Sequence, residues 1–238
     1  MVEKSGSKTN RRLFSVETIR FLREVHTQNS REWFERNRDV YQSHLLGPMQ
    51  EMVIYLNEAM LDIDPRFETR PQVNRTISKI YRDTRFSRDK SLFKRAAWLV
   101  FKRPSPDWTR HPAFFFEITP DFYRYGMGYY QAVRATMDAL RRRIDDNPSG
   151  FDRIIKPIMK SGWFTLEGDS FKRPLPCTHG PQIAQWYQKK SFYLTHHRSV
   201  DKDLFSPRLA ETVKKRFKAL KPLYQLLMIE ETQGNASP

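Results

Sequence analysis

Residues 112–130, "PAFFFEITPDFYRYGMGYY", decide the fold that the sequence predicts. They contain two short aromatic runs, 112–119 and 122–130, bounded by Pro, Asp and Gly. Such runs are typical of β-strands. The segments "TISKIYRD" (76–83) and "FKRAAWLVFKR" (93–103) show the same character, and "KSFYLTHH" (190–197) predicts a further strand. We therefore predict an antiparallel sheet in the middle of the chain.

Helical periodicity appears on both sides of this sheet. An apolar stripe at 16–25, behind a capping Ser15, predicts a first helix. A second helix is predicted to begin at Asn29 or Ser30, and a third runs from Pro48 to a stop before Pro65. Two later stripes, at 133–144 and 151–158, and a last region from Ser206 complete the pattern. The predicted fold class is α+β, with a central antiparallel sheet flanked by N-terminal and C-terminal helices.

Size and composition favour one domain. The chain has 238 residues, of which 39% are hydrophobic, and we predict a single α+β domain over 13–230. The segments 1–12, which is basic, and 231–238 contain almost nothing to bury, so we predict disordered tails. One cysteine and the absence of any run of eighteen apolar residues predict a cytoplasmic protein without membrane insertion.

The charge is concentrated in one part of the chain. The net charge is +15. Between Arg70 and Arg110 there are twelve Lys or Arg against three Asp, a surplus of nine in about a sixth of the sequence. A local positive field of this kind favours anionic partners such as nucleic acid or phosphorylated and carboxylated small molecules.

The densest charge lies in residues 77–95, "ISKIYRDTRFSRDKSLFKR", with four Arg, three Lys and two Asp. Arg offers a planar fork for phosphate or carboxylate, and Lys a point charge. We predict an anionic-ligand site whose binding residues are Arg82, Arg85, Lys90, Lys94 and Arg31. Catalysis by this site is an open question. The candidates for a group that orients the fork or acts as a base are Asp83 and Glu32.

Two other interpretations stay open. In the first, Asp83 and Asp89 pair with neighbouring arginines, and Arg31 and Glu32 join a buried ion-pair network that only fixes helix docking. In the second, the basic face at 70–110 binds nucleic acid as an extended surface. The sequence shows no recognised DNA-binding or RNA-binding motif, which ranks this interpretation below a small anionic ligand.

Several common chemistries have no signature here. The sequence lacks a Walker loop, a G-x-G-x-x-G fingerprint and a G-x-S-x-G elbow. The histidines lack H-E-x-x-H spacing, and His196 and His197 would point to opposite faces of a strand. We therefore predict neither a metal site nor a cofactor.

Three landmarks occur in order: "REWF" at Arg31–Phe34, "IYRDTRFSRDK" at Ile80–Lys90, and "KSFY" at Lys190–Tyr193. With them the chain, over residues 13–228, resembles a widespread bacterial family of uncharacterised conserved hypothetical proteins, a domain of unknown function. The resemblance implies membership and no particular activity. That family often carries a Thr-Pro-Tyr-Lys-like run where this chain has "SLFK" at 91–94, so no mechanism that uses a tyrosine hydroxyl there applies.

Overall fold

The sheet expected from the aromatic runs is present. A computed structural model describes residues 12–85 and 88–228. Five strands are ordered β1-β2-β3-β5-β4, and all neighbours are antiparallel. They are β1 (Ala97–Phe101), β2 (Pro112–Ile118), β3 (Phe122–Tyr129), β4 (Thr165–Glu167) and β5 (Tyr193–Ser199). The sequence did not predict β4, which has three residues and therefore too few for an alternating pattern.

Helices flank the sheet at both ends of the chain, so the predicted α+β class is confirmed. Before β1 lie α1 (Val16–Gln28), α2 (Arg31–Arg36), α3 (Arg38–Tyr41) and α4 (Gly47–Ile63), with a π-helical turn at Gln42–Leu46. After β3 come α5 (Arg134–Asp146), α6 (Pro148–Lys160), α7 (Pro181–Tyr187), α8 (Leu209–Ala219) and α9 (Lys221–Leu227). No helix within the described ranges has the length and apolarity to cross a bilayer. The predicted tails, 1–12 and 231–238, lie outside those ranges apart from Arg12.

The prediction of a regular strand at 76–83 was wrong. The segment is extended beside β1 and forms isolated bridges, Ile77 with Leu99 and Tyr81 with Phe93. Four residue steps separate Ile77 from Tyr81, whereas six separate Phe93 from Leu99. The two extra residues on one side interrupt the hydrogen-bond ladder, as in a bulge. Backbone pairing resumes at each end, for example from Ser78 N to Trp98 O at 2.8 Å.

One face of the sheet forms the core. Leu99 and Phe101 are fully buried, and Trp98 and Val100 on the opposite face are half-buried. This alternation follows from the two-residue period of a strand. The inner face packs on α8 and α9, where Phe114 contacts Phe217 and Tyr224. The outer face of β1 is therefore left to line a groove.

A buried polar cluster holds distant parts of the chain together. The Asp64 carboxylate accepts hydrogen bonds from Arg103 Nε at 2.6 Å and from the Tyr224 hydroxyl. Burial acts to raise the pKa of Asp64, but the hydrogen bonds from Tyr224, the Arg66 backbone and Arg103 hold that pKa below its ordinary value. The carboxylate thus joins the end of α4, the segment after β1, and α9.

Candidate functional site: a basic groove at the edge of the sheet

A groove of about 620 Å³ lies between residues 74–85 and the outer face of β1. We name it the β1-edge groove. Its cationic lining side chains are Arg75, Lys79, Arg82, Arg85, Lys94 and Lys102, and its one lining carboxylate is that of Asp83. Tyr81, Trp98 and Trp108 add aromatic side chains to the lining.

Strand geometry explains why β1 supplies this groove. Alternate residues of a strand share a face, so Trp98, Val100 and Lys102 follow one another along the outer side. All three are half-buried and line the groove. Beside them runs the irregular segment at 76–82. Lys94 N donates to Ile80 O at 2.9 Å, which fixes how the two walls approach each other.

Two lysines lie over tryptophan rings inside the groove. The Nζ atom of Lys94 is 4.3 Å from the ring centroid of Trp98, and that of Lys102 is 3.5 Å from the ring centroid of Trp108. An ammonium over an indole face is attracted by the ring quadrupole, by about 0.5–1 kcal/mol at exposed sites. Lys94 Nζ also donates to the carbonyl of Lys79 at 2.8 Å.

The pKa values show that positive charge is crowded here. Burial lowers the pKa of Lys94, and the nearby charges of Lys79 and Arg82 lower it further. Burial also lowers the pKa of Lys102. An anion that approached these ammonium groups would relieve the repulsion and replace the lost hydration.

The two aspartates of the motif pair with neighbouring arginines. Arg85 lies 2.7 Å from Asp83, and Arg82 lies 2.9 Å from Asp89. These side chains are largely or partly exposed, and exposed ion pairs contribute little to stability. The pairs are therefore not the buried network that one interpretation of the sequence required.

The two catalytic candidates lie in different places. The hydrogen bond from Arg85 lowers the pKa of Asp83 to about 2. A carboxylate with such a pKa is a weak base near neutral pH. Glu32 lies on α2 with 80% of its side chain exposed, 3.8 Å from Arg36, and is not among the lining residues of the groove.

Of the predicted binding residues, the structure brings three to the groove: Arg82, Arg85 and Lys94. Two others do not line it. Lys90 Nζ donates to the carbonyl of Thr84 at 2.8 Å, and Arg31 is exposed on α2. The prediction for Lys90 and Arg31 followed from their position in charged motifs, and position in a motif does not fix the direction of a side chain.

Five lining residues on which the argument depends were not among the predicted binding residues: Arg75, Lys79, Lys102, Trp98 and Trp108. A signal existed for two of them. Trp98 and Lys102 are four residues apart, and the two-residue period of a strand places both on the same side. Trp108 and Arg75 lie outside the strands, so no periodicity indicated their direction.

The charged motif is anchored to the N-terminal helices. Phe34 is buried, and its ring centroid lies 5.1 Å from that of Phe93 and 5.5 Å from that of Tyr81. Asn29 Oδ1 accepts a 2.6 Å hydrogen bond from Leu92 N. Phe34 is therefore part of the core, and Phe86 of the charged motif lies outside the described residues. The "REWF" and "IYRDTRFSRDK" segments therefore meet in space.

A family model, DUF2461, described as a conserved hypothetical protein, matches residues 17–226. The chain belongs to this family. The DUF2461 match confirms the family resemblance inferred from the sequence, over nearly the same residues. Among curated proteins, no sequence matches the chain. The DUF2461 description names no activity, so a function for this chain has to be argued from the groove.

A metal centre is not assembled in the part of the chain that the structure describes. Within 12–85 and 88–228, no three His, Cys, Asp or Glu residues are grouped so that they could hold an ion. His196 and His197 instead contact separate rings, those of Tyr125 and Phe122. The β1-edge groove is therefore the feature on which a functional proposal can rest.

Proposed function

We propose that the protein binds a small molecule with phosphate or carboxylate groups in the β1-edge groove. The observation that supports this proposal is the imbalance of charge: among the residues that the structure describes, six cationic side chains line the groove with one carboxylate, that of Asp83. Within residues 12–85 and 88–228, no ion pair joins Lys79, Lys94 or Lys102 to a carboxylate. These lysines supply the surplus charge.

The lysines and arginines have different roles in the proposed site. Lys79, Lys94 and Lys102 provide mobile point charges that can each meet an anionic oxygen. Arg82 and Arg85 are held by aspartates, so they contribute field and shape to the wall of the groove. Lys94 and Lys102 are half-buried, and partial burial strengthens their interactions because water screens them less than on an open surface.

The role proposed for the β1-edge groove is ligand binding, and no reaction is assigned to it. Asp83 remains the candidate for orienting Arg85, to which it is bonded, and its low pKa argues against a role as a base. A cytoplasmic location stays a prediction that rests on the single cysteine. The proposal that the groove binds nucleic acid has separate support in the aromatic lining, which is treated below.

Calorimetric titration with inorganic tripolyphosphate, and separately with citrate, tests the proposal. Lys94→Gln and Lys79→Gln should each weaken binding by about tenfold or more, since each removes a charge-assisted contact of about 1.5–3 kcal/mol. Lys172→Gln is the matched control, because Lys172 is exposed and is not a lining residue. Its affinity should stay within about twofold of the wild type.

Two outcomes would overturn the proposal. If neither probe binds the folded wild-type chain, the groove is not an anion site. If Lys172→Gln weakens binding as much as Lys94→Gln does, the affinity comes from the overall charge of the protein and not from the groove. Circular dichroism of each variant confirms that a lost affinity is not lost folding.

A further inference from the structure

The groove has an aromatic side that phosphate recognition alone does not need. Trp98 and Trp108 both line it. The Trp108 ring centroid lies 5.6 Å from that of Tyr130, whose exposed fraction is 77%. Large rings exposed beside cations are suited to ligands that carry both a planar ring and negative charge.

Aromatic rings continue from the groove across the outer face of the sheet. Val100 of β1 pairs with Phe115 of β2, so Phe115 lies one strand beyond the groove. The guanidinium of Arg124 is 6.0 Å from the Phe115 ring and 5.9 Å from the Phe122 ring. Both rings are half-buried. A cation over an aromatic ring, which occurs twice in the groove, is therefore found again beyond it.

Exchange of a lysine for a planar base is energetically reasonable. Lys94 and Lys102 are half-buried, so each ammonium gains between about 0.5–1 kcal/mol, the value at an exposed site, and about 2 kcal/mol, the desolvated value, from its tryptophan ring. A nucleic-acid base stacked on an aromatic side chain gains about 1–3 kcal/mol. The displaced ammonium, on a flexible stem, can move to a phosphate and form a charge-assisted contact there.

We infer that the ligand of the β1-edge groove is a nucleotide unit, with its phosphates on Lys79, Lys94 and Lys102 and its base on Trp98 or Trp108. This inference rests on the proposed anion site and adds recognition of the base. A free nucleotide and a single-stranded nucleic acid both present this unit. A duplex does not, because its bases are stacked and paired.

The test compares three probes on the full chain: inorganic tripolyphosphate, ATP and a short oligothymidylate. ATP should bind about tenfold or more tightly than tripolyphosphate, as expected for one stacked base. It should also quench tryptophan emission, whereas tripolyphosphate should not. At least one of the variants Trp98→Leu and Trp108→Leu should lower the affinity for ATP towards that for tripolyphosphate, and the affinity for tripolyphosphate should stay unchanged in both. If neither variant lowers the affinity for ATP, the base does not stack on these rings and the inference is wrong.

Controls separate base recognition from general damage. Trp163→Leu removes a partly buried tryptophan that is not a lining residue of the groove, and it should leave both affinities unchanged. Both groove variants are needed because the base can stack on either ring. Unchanged tripolyphosphate binding in each variant shows that the groove is intact.

Each result has a defined meaning. If ATP and tripolyphosphate bind equally, the nucleotide inference is wrong and the anion site stands. If no probe binds, both are wrong. If the oligothymidylate binds more tightly than ATP, with steep salt dependence, the natural ligand is single-stranded nucleic acid. If ATP binds more tightly, the natural ligand is a free nucleotide. Competition by duplex DNA as strong as that by the oligothymidylate would overturn base recognition.

Discussion

The ammonium of Lys94 lies over the ring of Trp98 in a groove where burial and the charges of Lys79 and Arg82 lower its pKa. The ammonium of Lys94 is therefore attracted by the Trp98 ring, while burial and neighbouring cations disfavour its charge. An anion that binds beside this partly dehydrated ammonium stabilises its charge. This pair of residues therefore links the stability of the groove to the binding of its proposed ligand.

Lys94→Met separates these two effects. Methionine keeps an apolar side chain at this position and removes the partly desolvated charge, its attraction to the Trp98 ring and its hydrogen bond to Lys79 O. Because the relief of desolvation opposes the two lost contacts, we expect the free energy of unfolding at pH 7 to change by no more than about 1 kcal/mol, while tripolyphosphate affinity falls about tenfold or more. Denaturant titration and calorimetry measure the two quantities. A clear loss of stability together with unchanged affinity would contradict this assignment.

The pH dependence of the same variant provides an independent check. Because the pKa of Lys94 is lowered in the folded state, the unfolded chain binds more protons between that pKa and the ordinary lysine value of about 10.4. Wild-type stability should therefore gain a contribution from Lys94 as pH rises through this window. The Met variant lacks the contribution, so the stability difference between the two proteins should shift towards the wild type at alkaline pH.

Glu68 gives a prediction on the acid side. A side-chain hydrogen bond from Arg70 lowers the pKa of Glu68 to about 2. The contribution to stability is present above the ordinary Glu pKa and is lost as pH falls through the folded value. We expect Glu68→Gln to destabilise the protein at pH 7 by on the order of 1 kcal/mol, and by less near pH 3. An equal cost at both pH values would show that the charge of Glu68 is not involved.

The sequence predicted the central sheet because β1, β2 and β3 carry strong local signals. Aromatic runs, turn residues and alternation all agree there, and the structure follows them. The segment at 76–83 has similar composition but meets a partner with two extra residues. Regular pairing depends on that partner as well as on the segment itself, so composition alone predicted a strand where only isolated bridges form.

The sequence predicted where the candidate site lies but only some of the residues that line it. The charged motif directed attention to the edge of the sheet, where Arg82, Arg85 and Lys94 converge. Lys90 and Arg31 point elsewhere because turns and helix ends determine their directions. Trp108 reaches the groove through a connection after β1, and such a long-range approach leaves no periodic signal in the sequence.

Asn29 provides a test of how the motif is held. It ends α1 in the left-handed conformation, with φ of 44°, and its side chain accepts the hydrogen bond from Leu92 N. Glycine adopts the left-handed conformation without strain, so Asn29→Gly removes only the hydrogen bond to Leu92 N. Asn29→Ala removes the same hydrogen bond and also introduces backbone strain. We expect stability losses of about 1 kcal/mol for Gly and about 2 kcal/mol for Ala, measured by denaturant titration.

Both Asn29 variants should also weaken tripolyphosphate binding. Leu92 N is held by Asn29 and lies two residues before Lys94, whose own N donates to Ile80 O in the facing wall of the groove. The affinity loss should be similar in the two variants, since both lack the same hydrogen bond. If stability falls while affinity is unchanged, the groove keeps its shape without this anchor, and the proposed link between α1 and the motif would be wrong.

Variants of the buried Asp64 cluster can measure the contribution of the Asp64 charge separately from the contributions of its partners. Tyr224→Phe removes one donor to Asp64 and should cost about 1–2 kcal/mol. Arg103→Met removes the nearer, more buried cation of Asp64 and leaves only the exposed Arg66, 3.9 Å away. Breaking a buried pair costs about 3–5 kcal/mol, so we expect a loss of up to about that size. Asp64→Asn in the Arg103→Met background should restore part of that loss, because the amide needs no counter-charge. Denaturant titration of the single and double variants gives the coupling energy, and additive losses would show that Asp64 and Arg103 contribute independently.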